Sequence, residues 1–228
     1  MKNKTFMLLA AGRGNRMGDL TKNIPKPLLN FHGKPLIEWH LEKLKNLGMK
    51  DVVINIAYLS EKIKAHIGDG SKWNLNVIFS EEKPVLETAG GIKFALDLIP
   101  SDPFVVINSD IFTEYNYKKL NDFDLPKNKE ACLFLVKNPE HNLKGDFTLD
   151  FMGNVIMKVN EDTKTFSGMG VYRKSFFKDV KNNSFYKLSS LLETQIKKKN
   201  VCGCLIKDLW LDIGTPERLI SPINKKVI

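Results

Sequence analysis

The chain has 228 residues, 43% of them hydrophobic and 27% charged, with 35 basic against 26 acidic side chains and a formal charge of +9. That length builds one large domain or two small ones around a buried core, which excludes a disulfide-stapled mini-protein. The longest apolar runs, FMLLAA at the start and FVVI at 104–107, fall far short of the ~20 residues that cross a bilayer, and no small-residue cleavage site follows Lys2 and Lys4, so a cytoplasmic chain without a membrane span is expected.

Apolar runs and helical stripes alternate along the chain, the pattern of βαβ units around a mostly parallel sheet. A first strand is expected at 5–10, followed by a long loop at 11–34. Pro35 suits a helix start, Leu36, Ile37, His40, Leu41, Leu44 and Leu47 recur on one helical face, and Gly48 ends it. A second strand is expected at 51–57, then a short helix carrying Leu59, Ile63 and Ile67, and a turn at Gly68, Asp69 and Gly70. A third strand follows at 75–80, and a helix entered through glycines at 89–99. The apolar run PFVVINSD at 103–110 reads as a central parallel strand ending in polar groups. Further strands are expected at 131–137, 146–151, 154–159, 168–173, 201–206 and 209–212. Leu188, Leu191, Leu192 and Ile196 share one face of a helix at 187–199, and a terminal helix opens at Pro216. No internal repeat, β-helix periodicity or low-complexity linker interrupts this order, so one domain with a β-rich insertion is the economical reading.

Charge is unevenly distributed: +7 over residues 1–75, −5 over 76–150 and +7 over 151–228. A basic chain can serve nucleic acid or a small polyanionic substrate. The basic residues here are spread out, not interleaved with an aromatic stacking stripe, so no nucleic-acid partner is expected. Cys132, Cys202 and Cys204 are odd in number and lack zinc spacing, as befits buried thiols in a reducing compartment.

The most informative segment is LAAGRGNRMGDLTKNIPKPL, residues 9–28. Gly12, Gly14 and Gly18 leave a strand and let backbone amides approach an anion, while Arg13, Arg16, Lys22 and Lys26 supply positive charge around it. A triphosphate suits such a loop. The spacing G-x-G-x-x-x-G, and a second strand ending in NIAYL without an acidic ribose ligand, separate it from the dinucleotide fingerprint, and the P-loop pattern is missing. Asp110 and Asp212 each close an apolar run, where a carboxylate stands at the carboxyl end of a sheet and can hold a hard cation. Spacing alone does not bring two such distant residues together.

The loop resembles the signature of the sugar-nucleotide pyrophosphorylases, nucleotidyltransferases that join a nucleoside triphosphate to a sugar 1-phosphate and release pyrophosphate. The resemblance runs nearly end to end, through KPL, PLIEWHLEKL, INIAYL, HIGDGSKWNL, LETAGGI, INSDIF, NPEHNLKGDF, TFSGMGVYR, FYKLSSLL and LWLDIGTPERL. It implies the nucleotide-diphospho-sugar transferase fold, a Rossmann-like α/β arrangement with a mixed, mostly parallel sheet flanked by helices and a small β-rich sugar-binding part. Residues 1–115 would be mainly nucleotide-binding and 131–212 mainly sugar-binding. The GDGS, LETAGG and KGDF blocks are most similar to short members that use UTP and N-acetylmuramic acid 1-phosphate in peptidoglycan recycling. The mannose 1-phosphate guanylyltransferases share the opening loop and are the alternative, beside a non-catalytic nucleotide-binding domain. A monomer is favoured.

The resemblance also implies roles. Asp110 and Asp212 would jointly hold Mg²⁺. Arg16, with the amides of Gly14 and Asn15, would bind the β- and γ-phosphates, and Lys26 the α-phosphate under attack; Arg13 adds charge to the same loop. An arginine fork suits a leaving polyanion and a lysine suits one developing oxyanion. Ala10, Ala11 and Gly12 would face the base, with Glu82 and Gly90 lining the same pocket and Asn108 contacting the nucleotide near the metal. Gly145, Asp146, Glu161 and Gly168 match positions that lie against the sugar phosphate. Ser109 and Ala89 stand where relatives often carry glycine, and the E-K-P sugar element is missing around 160–163, which argues against a simple glucose or thymidine-sugar enzyme.

Overall fold

The computed structural model describes residues 3–158 and 162–221. β1 (Phe6–Leu9) enters a loop holding the short helix α1 (Leu20–Asn23) and a ribbon of β2 (Asn30–Phe31) and β3 (Lys34–Pro35). Next come α2 (Leu36–Asn46), β4 (Asp51–Ile56), α3 (Ser60–Ile67), β5 (Asn76–Glu81) and α4 (Glu87–Ala95). β6 (Phe104–Asn108), β7 (Ile111–Thr113), α5 (Tyr117–Asn121) and β8 (Ala131–Val136) lead to the hairpin β9 (Phe147–Leu149) and β10 (Val155–Met157). The chain closes with β11 (Thr165–Tyr172), α6 (Leu188–Lys197), β12 (Val201–Leu205), β13 (Trp210–Asp212) and α7 (Pro216–Leu219).

Seven strands form one sheet in the order β12-β8-β11-β6-β1-β4-β5. β11 runs antiparallel to both of its neighbours and every other pair is parallel. The expected mixed, mostly parallel α/β sheet is therefore present. Its two faces are covered by different helices, as a parallel sheet requires. Phe6, Leu8, Val105 and Ile107 pack on one face with Ile37, Leu41 and Ile63 of α2 and α3. Met7, Phe104 and Val106 pack on the other with Ile92 and Ala95 of α4 and Leu192 and Ile196 of α6. His40 belongs to the apolar face of α2; burial pushes its imidazole down to about 4, so it is neutral, and its Nδ1 lies 2.6 Å from the Tyr117 hydroxyl.

β1 pairs with β4 on one side and β6 on the other, so the strand order reverses there and a crevice opens at the carboxyl ends. The glycine loop leaves the end of β1, and Asp110 follows the end of β6, so both belong to that crevice.

Several expected elements shift, for local reasons. The loop at 11–34 is folded: the Thr21 hydroxyl donates to the carbonyls of Gly14 and Gly18, each at 3.2 Å. Met17, Phe31 and Leu36 bury themselves with Phe112 and Ile213 in a third apolar cluster. α4 begins at Glu87 and contains its glycines instead of being entered through them. β11 starts at Thr165 because a register shift between Phe166 and Met169, with Gly168 at φ +78°, breaks the alternation that marks a strand. The strand expected at 146–151 stops at Leu149, where the Asp150 carboxylate accepts from the amides of Met152 and Asn154 and turns the chain. Residue 159 of the expected strand 154–159 lies outside the described residues. β7 and α5 were not anticipated by the apolar pattern. Among the described residues no helix is long and apolar enough to cross a membrane, and the three cysteines are free.

Candidate active site

The Ala10 amide donates to the Asn55 carbonyl at 3.2 Å and to Asn55 Oδ1 at 2.8 Å, which fixes the start of the glycine loop against the end of β4. Gly14, at φ +68°, has the left-handed backbone that glycine adopts without strain, and a Cβ there would stand 3.0 Å from Lys26 Cβ. The loop thus closes around the Lys26 stem. Tyr58 ties down its far side: the hydroxyl donates to the carbonyls of Thr21 at 3.0 Å and Lys22 at 3.2 Å. The Arg13 guanidinium lies 5.2 Å from the Tyr58 ring centroid.

Glu82 is buried beside this loop and has no ion-pair partner among the described residues. Its Oε1 accepts from Asn55 Nδ2 at 2.7 Å and its Oε2 from the Leu86 amide at 2.9 Å. Burial raises its carboxyl above the ordinary range, against the opposing pull of these hydrogen bonds. A side chain at Gly91 would strike Glu82, with a Cβ 2.2 Å from Oε1, so glycine is required there by close approach.

Lys26 is buried to 7% exposure and its ammonium ion-pairs with Asp110 Oδ2. Asp110 reaches Asp212 through the backbone. β13 pairs antiparallel with β7, setting Asp212 opposite Ile111, and the Ile213 amide donates to the Asp110 carbonyl at 2.9 Å. Both carboxylates therefore stand at one end of a two-stranded ribbon. Asp212 Oδ2 lies 3.3 Å from Arg218 Nη1 and 3.4 Å from His141 Nε2. Burial lowers the His141 imidazole below the ordinary range, and nearby Arg218 acts in the same direction.

Two cavities meet here. The first, of about 480 Å³, is walled by residues 9–16 of the glycine loop and by Lys26, Asn55, Glu82, Val85, Glu87 and Thr88. The second, of about 340 Å³, is walled by His141, Asn142, Asp146, Thr165, Gly168, Trp210 and Asp212, among others. Arg16, Asn108 and Asp110 belong to both. An elongated polyanion in the first cavity would thus present one end to a ligand in the second.

Over residues 5–226 the chain matches the nucleotidyl transferase family. It is a member of that family. It is 44% identical over 217 residues to the N-acetylmuramate alpha-1-phosphate uridylyltransferase of Neisseria meningitidis serogroup B, covering 93% of this chain and 94% of that protein. It is 29% identical over 228 residues to the mannose-1-phosphate guanyltransferase of Saccharomyces cerevisiae, covering 94% of this chain and 62% of that one. Among solved structures it resembles HddC from Yersinia pseudotuberculosis complexed with GMP-PN, with a TM-score of 0.77 at 24% identity over 95% of this chain and 96% of that one, a likeness of fold.

In this nucleotidyltransferase most of the residues singled out from the sequence converge. Ala10, Ala11, Gly12, Arg13, Gly14, Asn15, Arg16, Lys26, Glu82, Asn108 and Asp110 all line the first cavity. Asp146, Gly168 and Asp212 line the second. Two do not reach a cavity wall. Gly90 packs against the segment entering α6, where a Cβ would stand 2.2 Å from the Ser184 carbonyl oxygen; Val85, Glu87 and Thr88 form the wall instead. Gly145, at φ +57°, makes a turn against Thr163 and Asn138, where a Cβ would lie 2.6 Å from Thr163 Oγ1. Glu161 lies outside the described residues. Both Asp146 oxygens are engaged, Oδ1 by Asn142 Nδ2 at 3.1 Å and Oδ2 by the Phe166 amide at 2.8 Å, so this carboxylate shapes the wall through the bulge of β11.

Sequence reasoning missed His141, Asn142, Thr165 and Trp210. Trp210 Nε1 donates to the Ser167 carbonyl at 2.8 Å and fastens β13 to the bulge. His141 sits in NPEHNLKGDF, a block already marked by resemblance, and a histidine in that block was the available signal.

Proposed function

We propose that this chain transfers a uridylyl group from UTP to N-acetylmuramic acid 1-phosphate, giving UDP-N-acetylmuramic acid and pyrophosphate. The observation that carries the reading is the junction of the two cavities at Arg16, Asn108 and Asp110. A triphosphate in the first and a sugar phosphate in the second would meet at the ribbon that pairs Asp110 with Asp212. The choice of uracil and muramic acid is supported by 44% identity over nearly the whole of both chains to a protein of that name.

An oxygen of the sugar 1-phosphate attacks the α-phosphorus. The bond from that phosphorus to the oxygen bridging α and β breaks, and pyrophosphate carries away the electron pair. The attacking phosphate is already anionic at neutral pH, so the step needs positioned charge and not a general base. Arg16 and the amides of Gly14 and Asn15 hold the β- and γ-phosphates, and Lys26 neutralises the α-phosphate. Ala10, Ala11, Gly12 and Glu82 surround the base.

The donor set fits Mg²⁺. Asp110 and Asp212 offer hard carboxylate oxygens at one end of the β7–β13 ribbon, the ligand type this ion takes alongside substrate phosphates. Bound by these two carboxylates, it would reduce the repulsion between the two phosphates. Residues 1–115 form the nucleotide half and 131–212 mainly the sugar half in this reading, and the reaction belongs to cytoplasmic recovery of cell-wall sugar by a monomer.

A pyrophosphate-release assay over UTP, GTP, CTP and dTTP with a panel of sugar 1-phosphates tests it. UTP with N-acetylmuramic acid 1-phosphate is expected to give the highest kcat/KM; no turnover with any UTP pair would overturn the reading, and preference for GTP with mannose 1-phosphate would replace it.

A further inference from the structure

Arg218 projects from α7 and is 19% exposed. It is not part of either cavity wall, so it does not touch what the cavities would hold. Its Nη1 lies 3.3 Å from Asp212 Oδ2, and its Nε is buried with no hydrogen-bond partner among the described residues. A guanidinium kept in that position at the expense of one donor must gain from the contact it does make.

Gly214 shows how it gets there. A Cβ on Gly214 would stand 2.2 Å from Arg218 Nη2 and 2.9 Å from Asp212 Oδ1. Gly214 is not among the residues of left-handed backbone, so its φ does not demand glycine. What demands it is close approach, by the Arg218 guanidinium above all and by Asp212 Oδ1. Gly214 and Arg218 are thus one device, a gap and the side chain that fills it, and both converge on the same carboxylate.

From this geometry we propose that Arg218 is a positioning residue: it fixes the rotation of the Asp212 carboxylate by binding Oδ2 and so presets Asp212 for a divalent cation, and Gly214 exists to admit it. The inference rests on the reading of Asp110 and Asp212 as cation ligands. Partners of ligating carboxylates usually set affinity by about 10- to 100-fold. Arginine suits the task because its planar fork loses less freedom per contact than lysine.

The test uses Mn²⁺ as probe, titrated into the whole nucleotide-free chain and followed by loss of the free-ion EPR signal. The Mn²⁺ concentration giving half-maximal pyrophosphate release is the second readout. Arg218→Ala is expected to raise both values about tenfold or more, and Arg218→Lys by less, with the KM for UTP within about twofold of the parent. Gly214→Ala crowds Arg218 and Asp212 Oδ1 together and adds a methyl to the wall of the first cavity, so it too should raise both values. Should Arg218→Ala lose its thermal transition, Arg218→Lys carries the comparison. Mn²⁺ affinity unchanged in Arg218→Ala would overturn the inference alone. Asp212→Asn separates the two levels: if it leaves Mn²⁺ binding unchanged, the cation reading falls and takes the role of Arg218 with it.

Discussion

The Ile213 amide donates to the Asp110 carbonyl at 2.9 Å and extends the β7–β13 pairing to two carboxylates that are 102 positions apart in the chain. β7 and β13 are three residues each, so the junction has little pairing of its own. It is held from beneath by Phe112 and Ile213, which pack with Met17 of the glycine loop. The glycine loop and the paired carboxylates therefore share one small apolar base.

Asp110→Asn and Asp212→Asn are each expected to lower kcat/KM for pyrophosphate release by about a hundredfold or more. Their effects on folding should differ. Asp110→Asn strands the buried Lys26 ammonium and is expected to cost about 2 kcal/mol in urea denaturation, between the values for exposed and buried pairs. Asp212→Asn leaves the Arg218 guanidinium partly solvated and should cost less.

The glycines of the loop should separate by the same two measurements. Alanine at Gly14 meets the Lys26 and Thr21 side chains at a left-handed φ, so stability should fall by about 1–2 kcal/mol along with activity. At Gly12 nothing lies within 4 Å of a Cβ and no backbone strain arises. Gly12→Ala is expected to keep its stability and lose UTP affinity, because the new methyl occupies space left for the ligand.

Glu82 sets a pH dependence of stability. Its carboxyl is raised in the fold, so above the unfolded value of 4.5 the folded chain holds this proton more tightly than the unfolded chain, and stability falls as pH rises through the raised value. Glu82→Gln should flatten that part of the curve. Thermal melts from pH 4.5 upward check it: a variant curve parallel to that of the parent would contradict the assignment.

Tyr58→Phe removes the hydroxyl that holds the carbonyls of Thr21 and Lys22 and leaves the ring under Arg13. Loss of about 1 kcal/mol of loop ordering should raise the KM for UTP roughly fivefold, with kcat within about twofold. Steady-state kinetics with UTP varied at saturating sugar phosphate measures both.

The long strands and the amphipathic helices were legible in the sequence because burial on both faces, or on one stripe, writes itself into composition: Phe6–Leu9 and Phe104–Asn108 are apolar throughout, and α2 shows its stripe from Leu36 to Leu44. The glycine loop that walls the first cavity was legible through its glycines and cations. What stayed hidden were contacts made by few residues at long range. The pairing of Ile111 with Asp212 has no periodicity to read, and the bulge at Gly168 disguises the start of β11. Gly90 and Gly145 match motif positions in the sequence, yet in the fold both are hemmed in, by the Ser184 carbonyl and the Thr163 hydroxyl, and Gly145 also has a left-handed φ of +57°. His141 enters the site from a short turn after Pro139, where neither hydrophobicity nor charge singles it out.

β8 and β11 are neighbours, and Val136 and Thr165 are register partners. The chain therefore leaves the sheet at residue 136 and returns beside the same point at 165, after an excursion that supplies His141, Asn142 and Asp146 to the second cavity. Such an excursion is a cassette with its two ends already joined: it also bonds the edge strand β12, through the Asn154–Cys202 bridge and the Gly203 amide donating to the Gly153 carbonyl at 3.0 Å, so an exchange of 137–164 between relatives that keeps those contacts would reshape the second cavity and leave the glycine loop in place.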